Sequence, residues 1–289
     1  MKADIARWLI AAALLIGAAG HAGAEANEVL IIRVADAIGP GTADFIHHGI
    51  KTAEKQQAAC LIIELDTPGG LAESMRRIVQ DILASPVPVA VYVSPGGGRA
   101  ASAGVMITMA ADIAAMAPGT NIGAAHPVGA GGQEIDGKMS EKVVNDMVAQ
   151  ARSVAERRGR NAEWVEKAIR QSVSATETEA LKENVIDLIA RDTDDLIRQI
   201  NGRTVAGKGS LRLDAPRKTV LEEDLRAKIL KAISSPNIAY ILLMLGIAGL
   251  YFEFSHPGAV FPGVVGGICL VLAFFALQTL PVNYAGIML

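Results

Sequence analysis

Ser94-Pro95-Gly96-Gly97-Gly98-Arg99-Ala100-Ala101-Ser102-Ala103-Gly104 is the stretch on which the reading of this chain turns. Before it, Val87 to Val93 is an apolar run of strand length. After it, Ala103-Gly104-Val105-Met106-Ile107-Thr108-Met109-Ala110-Ala111 reads as a buried helix. Between them the glycines break the strand, and Ser102 is the one hydroxyl in the small residues that follow. A serine on a tight strand-to-helix turn suits a nucleophile: small neighbours admit a carbonyl, and a helix N-terminus favours negative charge. On this stretch alone the plainer reading, a glycine-rich loop before a core helix, stays open.

Working outward, the same grammar repeats. Glu28 to Val34 is a first strand, broken at Pro40-Gly41. Thr42 is the expected cap of a helix to about Gln57, with Phe45, Ile46, Ile50 and Ala53 on one face. Ala59 to Leu65 is a continuous apolar strand ending in Asp66-Thr67-Pro68-Gly69-Gly70, and a helix follows from Leu71 to Ala84. Ile113 to Ala117 is a further short apolar segment. Strands alternating with helices through short turns predict an α/β fold, right-handed βαβ units around a mostly parallel sheet. In such sheets sites form beyond the carboxyl ends of the strands, so the turns at Gly69-Gly70 and Gly96-Gly98 share one rim. Gly69 and Gly70 can offer backbone N–H groups at a helix start; with the N–H of Ala103 they would form an oxyanion hole beside Ser102. Two glycine turns that merely reverse the chain are the alternative.

Pro118 to Gly137 reads as a loop carrying His126-Pro127, with Gly129 to Gly132 as a substrate flap. A long helix is written from Ser140, its expected N-cap, to Arg158, with Lys142 in the first turn. Val143, Val144, Met147, Val148, Ala151, Val154 and Ala155 give it helical spacing. Further helices are expected at Ala162–Gln171, at Thr176–Leu181 with Asn184 closing it, and at Asp192–Gln199; Val185–Ile189 reads as a strand. The globular unit is thus 25–200, and the polar stretch 201–235 reads as a hairpin or tether leaving it.

The 289 residues are 51% hydrophobic with a mean hydropathy of +0.33, which points to membrane segments, and both ends supply them. Lys2 and Arg7 precede an apolar run from Trp8 to Ala19, and Ala22-Gly23-Ala24 is a small-x-small cleavage pattern, so 1–24 reads as a signal peptide. Ile238 to Phe254 and Ala259 to Leu280 are two apolar runs joined by Ser255-His256-Pro257-Gly258, a membrane hairpin within 236–289. Asn283 to Leu289 reads as the start of a third span, as if the chain were incomplete. The net charge of −3 leaves no basic stripe, so nucleic acid is not an expected partner. Cys60 and Cys269 form no metal-ligand spacing and no expected disulfide; no metal or cofactor is called for.

Gly98-Arg99-Ala100-Ala101-Ser102-Ala103-Gly104, Met116-Ala117-Pro118-Gly119-Thr120-Asn121-Ile122-Gly123 and Asp66-Thr67-Pro68-Gly69-Gly70 resemble the membrane-bound serine proteases of the NfeD family, stomatin-operon partner proteins in the ClpP/crotonase superfamily. Gly159-Arg160-Asn161-Ala162 and Arg191 to Ile197 share the likeness, which runs in order from about residue 28 to the end. It implies repeated ββα units on a mostly parallel sheet, then a transmembrane helical hairpin. It also implies a Ser-Lys dyad, with Ser102 as nucleophile and Lys142 as general base. A lysine serves as base only once desolvation brings its pKa from about 10.4 toward neutrality. Lys138 is the rival, in the loop before the cap. His126 lies in a segment resembling that of the soluble ClpP histidine, but Arg170 to Ser174 lacks the carboxylate that would orient it, so His126 is read as lining the substrate cleft.

The resemblance implies an endopeptidase in the inner membrane of a bacterial cell, multi-pass, with its protease domain in the periplasm. Its substrates would be hydrophobic peptide segments of a stomatin-like membrane partner, its surroundings the lipid bilayer, and its assembly a homo-oligomer. A non-catalytic scaffold for stomatin-like proteins is the second reading, and a signal peptide peptidase A, which shares the chemistry, the third.

Overall fold

Four glycine-punctuated apolar runs become the centre of one parallel sheet. The computed structural model describes residues 27–129, 137–223, 228, 236–256 and 260–279. The signal peptide, the start of a third span and most of the flap lie outside the described residues. The elements run β1 (Glu28–Ala35), α1 (Pro40–Gln56), β2 (Cys60–Asp66), α2 (Ala72–Ala84), β3 (Val89–Val93), β4 (Arg99–Ala101), α3 (Ala103–Ala110), β5 (Ile113–Met116) and β6 (Asn121–Gly123). Then follow α4 (Gly137–Arg157), α5 (Ala162–Arg170), β7 (Ser174–Thr176), α6 (Glu177–Lys182), β8 (Leu188–Ile189), α7 (Thr193–Ile200), β9 (Thr204–Val205), β10 (Gly209–Ser210) and β11 (Arg217–Leu221). Two apolar helices, α8 (Pro236–Ser255) and α9 (Val260–Thr279), complete the series.

The main sheet has the order β11-β1-β2-β3-β5-β8, with every pair parallel. Its strands are buried on both faces, which is why they read as continuous apolar runs rather than alternating ones. Leu30, Ile32, Leu61, Ile63, Val89 and Val91 face the larger core, which also takes in the buried sides of α1 to α5. Val29, Ile31, Cys60, Ile62, Ala90 and Tyr92 face the other core, closed by Leu196, Ile197 and Ile200 of α7 and by Val205, Leu211 and Leu213. A small second sheet, β4-β6-β7, pairs β4 parallel and β7 antiparallel to β6.

Three local expectations are corrected. Thr42 does not cap α1: Gly39 holds that position with Pro40 in the first turn, and Thr42 Oγ1 donates to the carbonyl of Ala37 at 3.0 Å. Ser140 does not start α4, which is already helical at Gly137, so Lys142 lies in its second turn. The stretch from 201 is a hairpin, as one of its two readings had it, but up to residue 221 it packs on the domain and does not leave it. β9 and β10 form a hairpin whose flanks bury Leu211 and Leu213, and β11 adds an edge strand to the sheet.

Within α8, Ile238–Ser255 has a mean hydropathy of 1.8 over 18 residues with only 11% of that window buried, long and apolar enough to cross a membrane. α8 and α9 approach at glycines: a Cβ on Gly249 would lie 2.5 Å from the carbonyl of Pro262 and 2.8 Å from Gly266 Cα.

Candidate active site

Ser102 is the N-cap of α3 and sits at φ 53°, ψ −111°. A β-carbon-bearing residue on the positive-φ side carries roughly 1–3 kcal/mol of strain, which persists only where neighbours fix it. They do. The Ser102 N–H donates to the Gly123 carbonyl at 3.0 Å, and its own carbonyl accepts from Val105 N–H at 3.0 Å. One strand back, the Thr67 N–H donates to Arg99 O at 2.7 Å and the Ala101 N–H to Thr67 O at 3.0 Å. β4 is therefore stitched to the end of β2, and the serine is held half-buried against the glycine turn beyond it.

That turn touches the serine. A Cβ on Gly69 would lie 2.5 Å from Ser102 Cβ, so the two residues touch. The Gly69 N–H donates to the buried hydroxyl of Thr67 at 3.1 Å and is not available to a substrate, which corrects its expected role as an oxyanion donor. Gly70 differs. It bridges Ile38 in parallel register: Ile38 N–H donates to Gly69 O and Leu71 N–H to Ile38 O, each at 2.8 Å. In that pattern the peptide N–H of Gly70 itself points away from Ile38. Ala103 is the first residue of α3, and its N–H has no intrahelical acceptor. Gly70 and Ala103 thus leave two amide donors beside a strained serine at the positive end of a helix.

The predicted bases fall elsewhere. His126 is half-buried, and its Nδ1 lies 2.9 Å from the carbonyl of Ile169 at the C-terminal end of α5. A carbonyl only accepts, so Nδ1 carries the proton and Nε2 is the free nitrogen. With the adjacent bonds from Ala124 N–H to Val173 O at 3.0 Å and Ala125 N–H to Ala168 O at 2.9 Å, His126 pins the strand that leaves β6. Lys142 and Lys138 are both exposed, and neither is within hydrogen-bond reach of Ser102. α4 buries Val144, Val148, Ala151, Val154 and Ala155. At about 100° per residue Lys142 projects from the opposite face of the helix. The structure therefore brings together Ser102, Gly69, Gly70 and Ala103, and leaves Lys142 outside.

The sequence reading missed what anchors the far end of the serine helix. The last carbonyls of α3 accept from two guanidiniums: Ala110 O from Arg158 Nε, and Met109 O and Ala111 O from Arg160 Nη1, each at 2.8 Å. Arg158 is held by Asp112 at 2.6 Å, a carboxylate with no exposed side chain that also takes Lys208 Nζ at 2.5 Å. Arg160 is held by Asp187 at 2.6 Å. Burial pulls the Arg158 guanidinium below its usual range, against the pull of Asp112. The signal was present in the sequence, as an Asp directly after an apolar helix and paired arginines after the next one, but the partners stand some 46 to 51 residues apart.

A cavity of about 440 Å³ lies at the same rim and is lined by Arg33, Glu64, Tyr92, Pro95 and Thr193 but not by Ser102. Its polar groups are already matched: Arg33 Nε to Glu64 at 2.8 Å, Thr193 Oγ1 to Glu64 at 2.5 Å, and the Tyr92 hydroxyl to Ala190 O at 2.8 Å.

Residues 28–200 match the family model described as NfeD1b, N-terminal domain, and residues 237–289 match the NfeD integral membrane domain. The chain is 39% identical over 271 residues to membrane-bound protease PH1510 of Pyrococcus horikoshii, covering 91% of this chain and 61% of that protein. It is 29% identical over 266 residues to membrane protein NfeD1b of Bacillus subtilis, covering 90% and 59%. The chain thus spans about three-fifths of the length of these curated relatives. Among solved structures, the 1510-N membrane-bound stomatin-specific protease in a serine-to-alanine form superposes with a TM-score of 0.64 at 37% identity, covering 68% of this chain and 99% of that one. A lysine-to-alanine form of 1510-N in complex with a substrate peptide gives 0.66 at 36%, covering 72% and 97%.

Proposed function

This chain belongs to the NfeD family, and from that premise we propose that it is a membrane-anchored serine endopeptidase in which Ser102 is the nucleophile and Lys142 the general base. One observation carries the reading: Ser102 is held at positive φ on a strand-to-helix turn, with the amides of Gly70 and Ala103 unengaged beside it. The choice of Lys142 over Lys138 rests on spacing. The serine and lysine replaced in the two 1510-N structures stand 41 residues apart. Lys142 follows Ser102 by 40 and Lys138 by 36.

An extended peptide lies along Gly69-Gly70-Leu71 as an added strand. The Ser102 hydroxyl gives its proton to neutral Lys142 and attacks the scissile carbonyl. Gly70 and Ala103 N–H hold the resulting oxyanion. Lys142 returns the proton to the leaving amine, and water, deprotonated in its turn by Lys142, hydrolyses the acyl-enzyme. Lys142 stands on the solvent face of α4, so the dyad forms only when substrate rearranges the unpacked first turns of that helix, ahead of Val144, and brings the amine to Ser102. Enclosure against apolar substrate would also desolvate the amine, as a lysine base requires. The substrates proposed are apolar segments of a stomatin-like membrane protein, by analogy with the relative, and the domain is placed in the periplasm behind an N-terminal export signal, on a multi-pass anchor. Homo-oligomers are proposed from the superfamily resemblance.

Ser102→Ala and Lys142→Ala are each expected to abolish hydrolysis of an apolar peptide, and Lys138→Ala to spare it. Full activity in either of the first two removes that residue from the mechanism. The separation of Lys142 from Ser102 also suits a scaffold that organises stomatin-like proteins without cutting them. A folded chain whose Ser102 resists a serine-reactive probe at mildly alkaline pH would favour that second reading.

A further inference from the structure

The domain hands its chain to the membrane helices from the rim that carries Ser102. β11 is its last strand and runs parallel to β1, with Leu221 opposite Ile32. Its carboxyl end therefore points the same way as the ends of β2 and β3, where Gly69-Gly70 and Gly96-Gly98 lie. Twelve residues separate Glu223 from Pro236, a link that spans at most about 45 Å when fully extended. A domain of this size is about 40 Å across, from a radius of gyration near 16 Å. Seating the opposite rim, the amino ends of the strands, on the bilayer would require the link to double back fully stretched along the whole domain. Seating the Ser102 rim there requires no such path.

The surface of that rim fits the same partner. α4 is about 31 Å long and α3 about 12 Å. Their carboxyl ends meet where Arg158, just past α4, binds Ala110. The start of α4 consequently overshoots Ser102. Gly137, Lys138, Met139, Glu141 and Lys142 are all exposed, and packing begins at Val144. Met139 is 62% exposed and Val128 61%, the two most exposed large apolar side chains of the domain among the described residues. Arg99, Lys138 and Lys142 are exposed cations of the same rim. Among the carboxylates of this rim, Glu64 is committed to Arg33 and Thr193 and Asp66 to the N–H of Arg99, whereas Glu73, Glu141 and Glu222 are exposed. Exposed apolar side chains flanked by long cationic ones, on the rim from which the chain leaves for its membrane helices, suit an interfacial contact with lipid.

We propose that the carboxyl-end rim of the domain rests on the bilayer that holds α8 and α9, with Met139 and Val128 at headgroup depth. The site then takes peptide presented just outside a span of another membrane protein, rather than soluble peptide arriving from bulk water. The contact with lipid requires no catalysis; the substrate clause rests on the endopeptidase reading above.

The full chain tests this directly. Cys60 is fully buried, and burial pushes its thiol up to about 12, so it stays unlabelled at neutral pH and only Cys269 needs replacing, as Cys269→Ala. A single probe cysteine is placed at Met139, and in a second variant at Lys55, at the end of α1 on the opposite rim. Both are reconstituted into phosphatidylcholine–phosphatidylglycerol vesicles carrying a nitroxide headgroup lipid. The proposal expects several-fold stronger quenching at 139 than at 55. Equal quenching, or stronger quenching at 55, overturns it. So does a short-range crosslink between the 139 positions of two copies in the vesicles, because a second copy of the chain would then cover that face. A reporter with its apolar segment beside its span should be cut faster than one with that segment on a long flexible linker; equal rates overturn the substrate clause. Labelling of Ser102 by a serine-reactive probe reports the endopeptidase reading separately.

Discussion

Gly69→Ala should cripple the site while leaving the domain folded. A Cβ at residue 69 would lie 2.5 Å from Ser102 Cβ, 3.0 Å from Ser102 Oγ and 3.3 Å from the carbonyl of Ala101. Ser102 cannot swing clear without breaking its 3.0 Å bonds to Gly123 and Val105. Relief therefore takes a shift of about 1 Å between nucleophile and hole, and misplacement on that scale costs on the order of 10²-fold in rate. The backbone adds its own cost, because φ at Gly69 is +110°, where a side chain is strained by about 1–2 kcal/mol. For a domain of this size that amounts to roughly 2–8 °C in Tm. Gly97→Ala is the matched control: φ there is +88° and nothing lies within 4 Å of the new methyl. It carries the strain without the collision. Rates of apolar-peptide hydrolysis and thermal melts of both variants separate the two effects. Equal rates for Gly69→Ala and Gly97→Ala, at comparable stability, would refute the claim that residue 69 sets the spacing of the hole.

Other outcomes follow from the same contacts. Arg160→Met leaves Asp187 and the carbonyls of Met109 and Ala111 without the guanidinium that joins them, and should cost about 3–5 kcal/mol in urea unfolding; a loss below 1 kcal/mol would show that the clamp is dispensable. Thr67→Val strands the buried N–H of Gly69 and should cost about 1–3 kcal/mol, with the larger effect on kcat if that bond fixes the hole. Burial holds the Lys208 ammonium below its ordinary range despite the pull of Asp112. Between its folded value and 10.5 the unfolded chain binds the extra proton, so the contribution of Lys208 to stability rises with pH. The stability of wild type minus that of Lys208→Met should therefore climb as pH rises toward 10.5, and a falling difference there would contradict the assignment.

The parallel sheet was legible because burial on both faces forces β1, β2 and β3 into unbroken apolar runs, and the glycine turns beyond them marked the rim. β11 was not, because Arg217-Lys218-Thr219-Val220-Leu221 is an edge strand exposed along most of its length. Its pairing with β1 lies almost two hundred residues away in sequence and leaves no local trace. The strands of the second sheet are three residues each, too short for any periodicity to register. The turn at Ser102 was legible from its small neighbours, and the structure adds that the serine itself sits at positive φ. Spacing placed Gly69 and Gly70 together, but only the register against Ile38 distinguishes the amide that is spent from the one that is free. Lys142 shows the converse: its phase against Val144 and Val148 already sets it on the far side of α4, so its separation from Ser102 in this structure was legible in the sequence.

β11 also makes the anchor a mechanical joint. Tension from the spans would enter the domain at the carboxyl end of this strand, and its component along the strand axis is the one the sheet resists. Its five paired positions against β1 are then loaded together in shear instead of being peeled apart singly. Lys218 to Asp194 and Thr219 to Glu28, each at 2.6 Å, act as pegs against sliding. A protein that drags a bound membrane neighbour would transmit that drag into the middle of its sheet without first losing its edge, and resistance of this kind is governed by the rate of unfolding rather than by equilibrium stability.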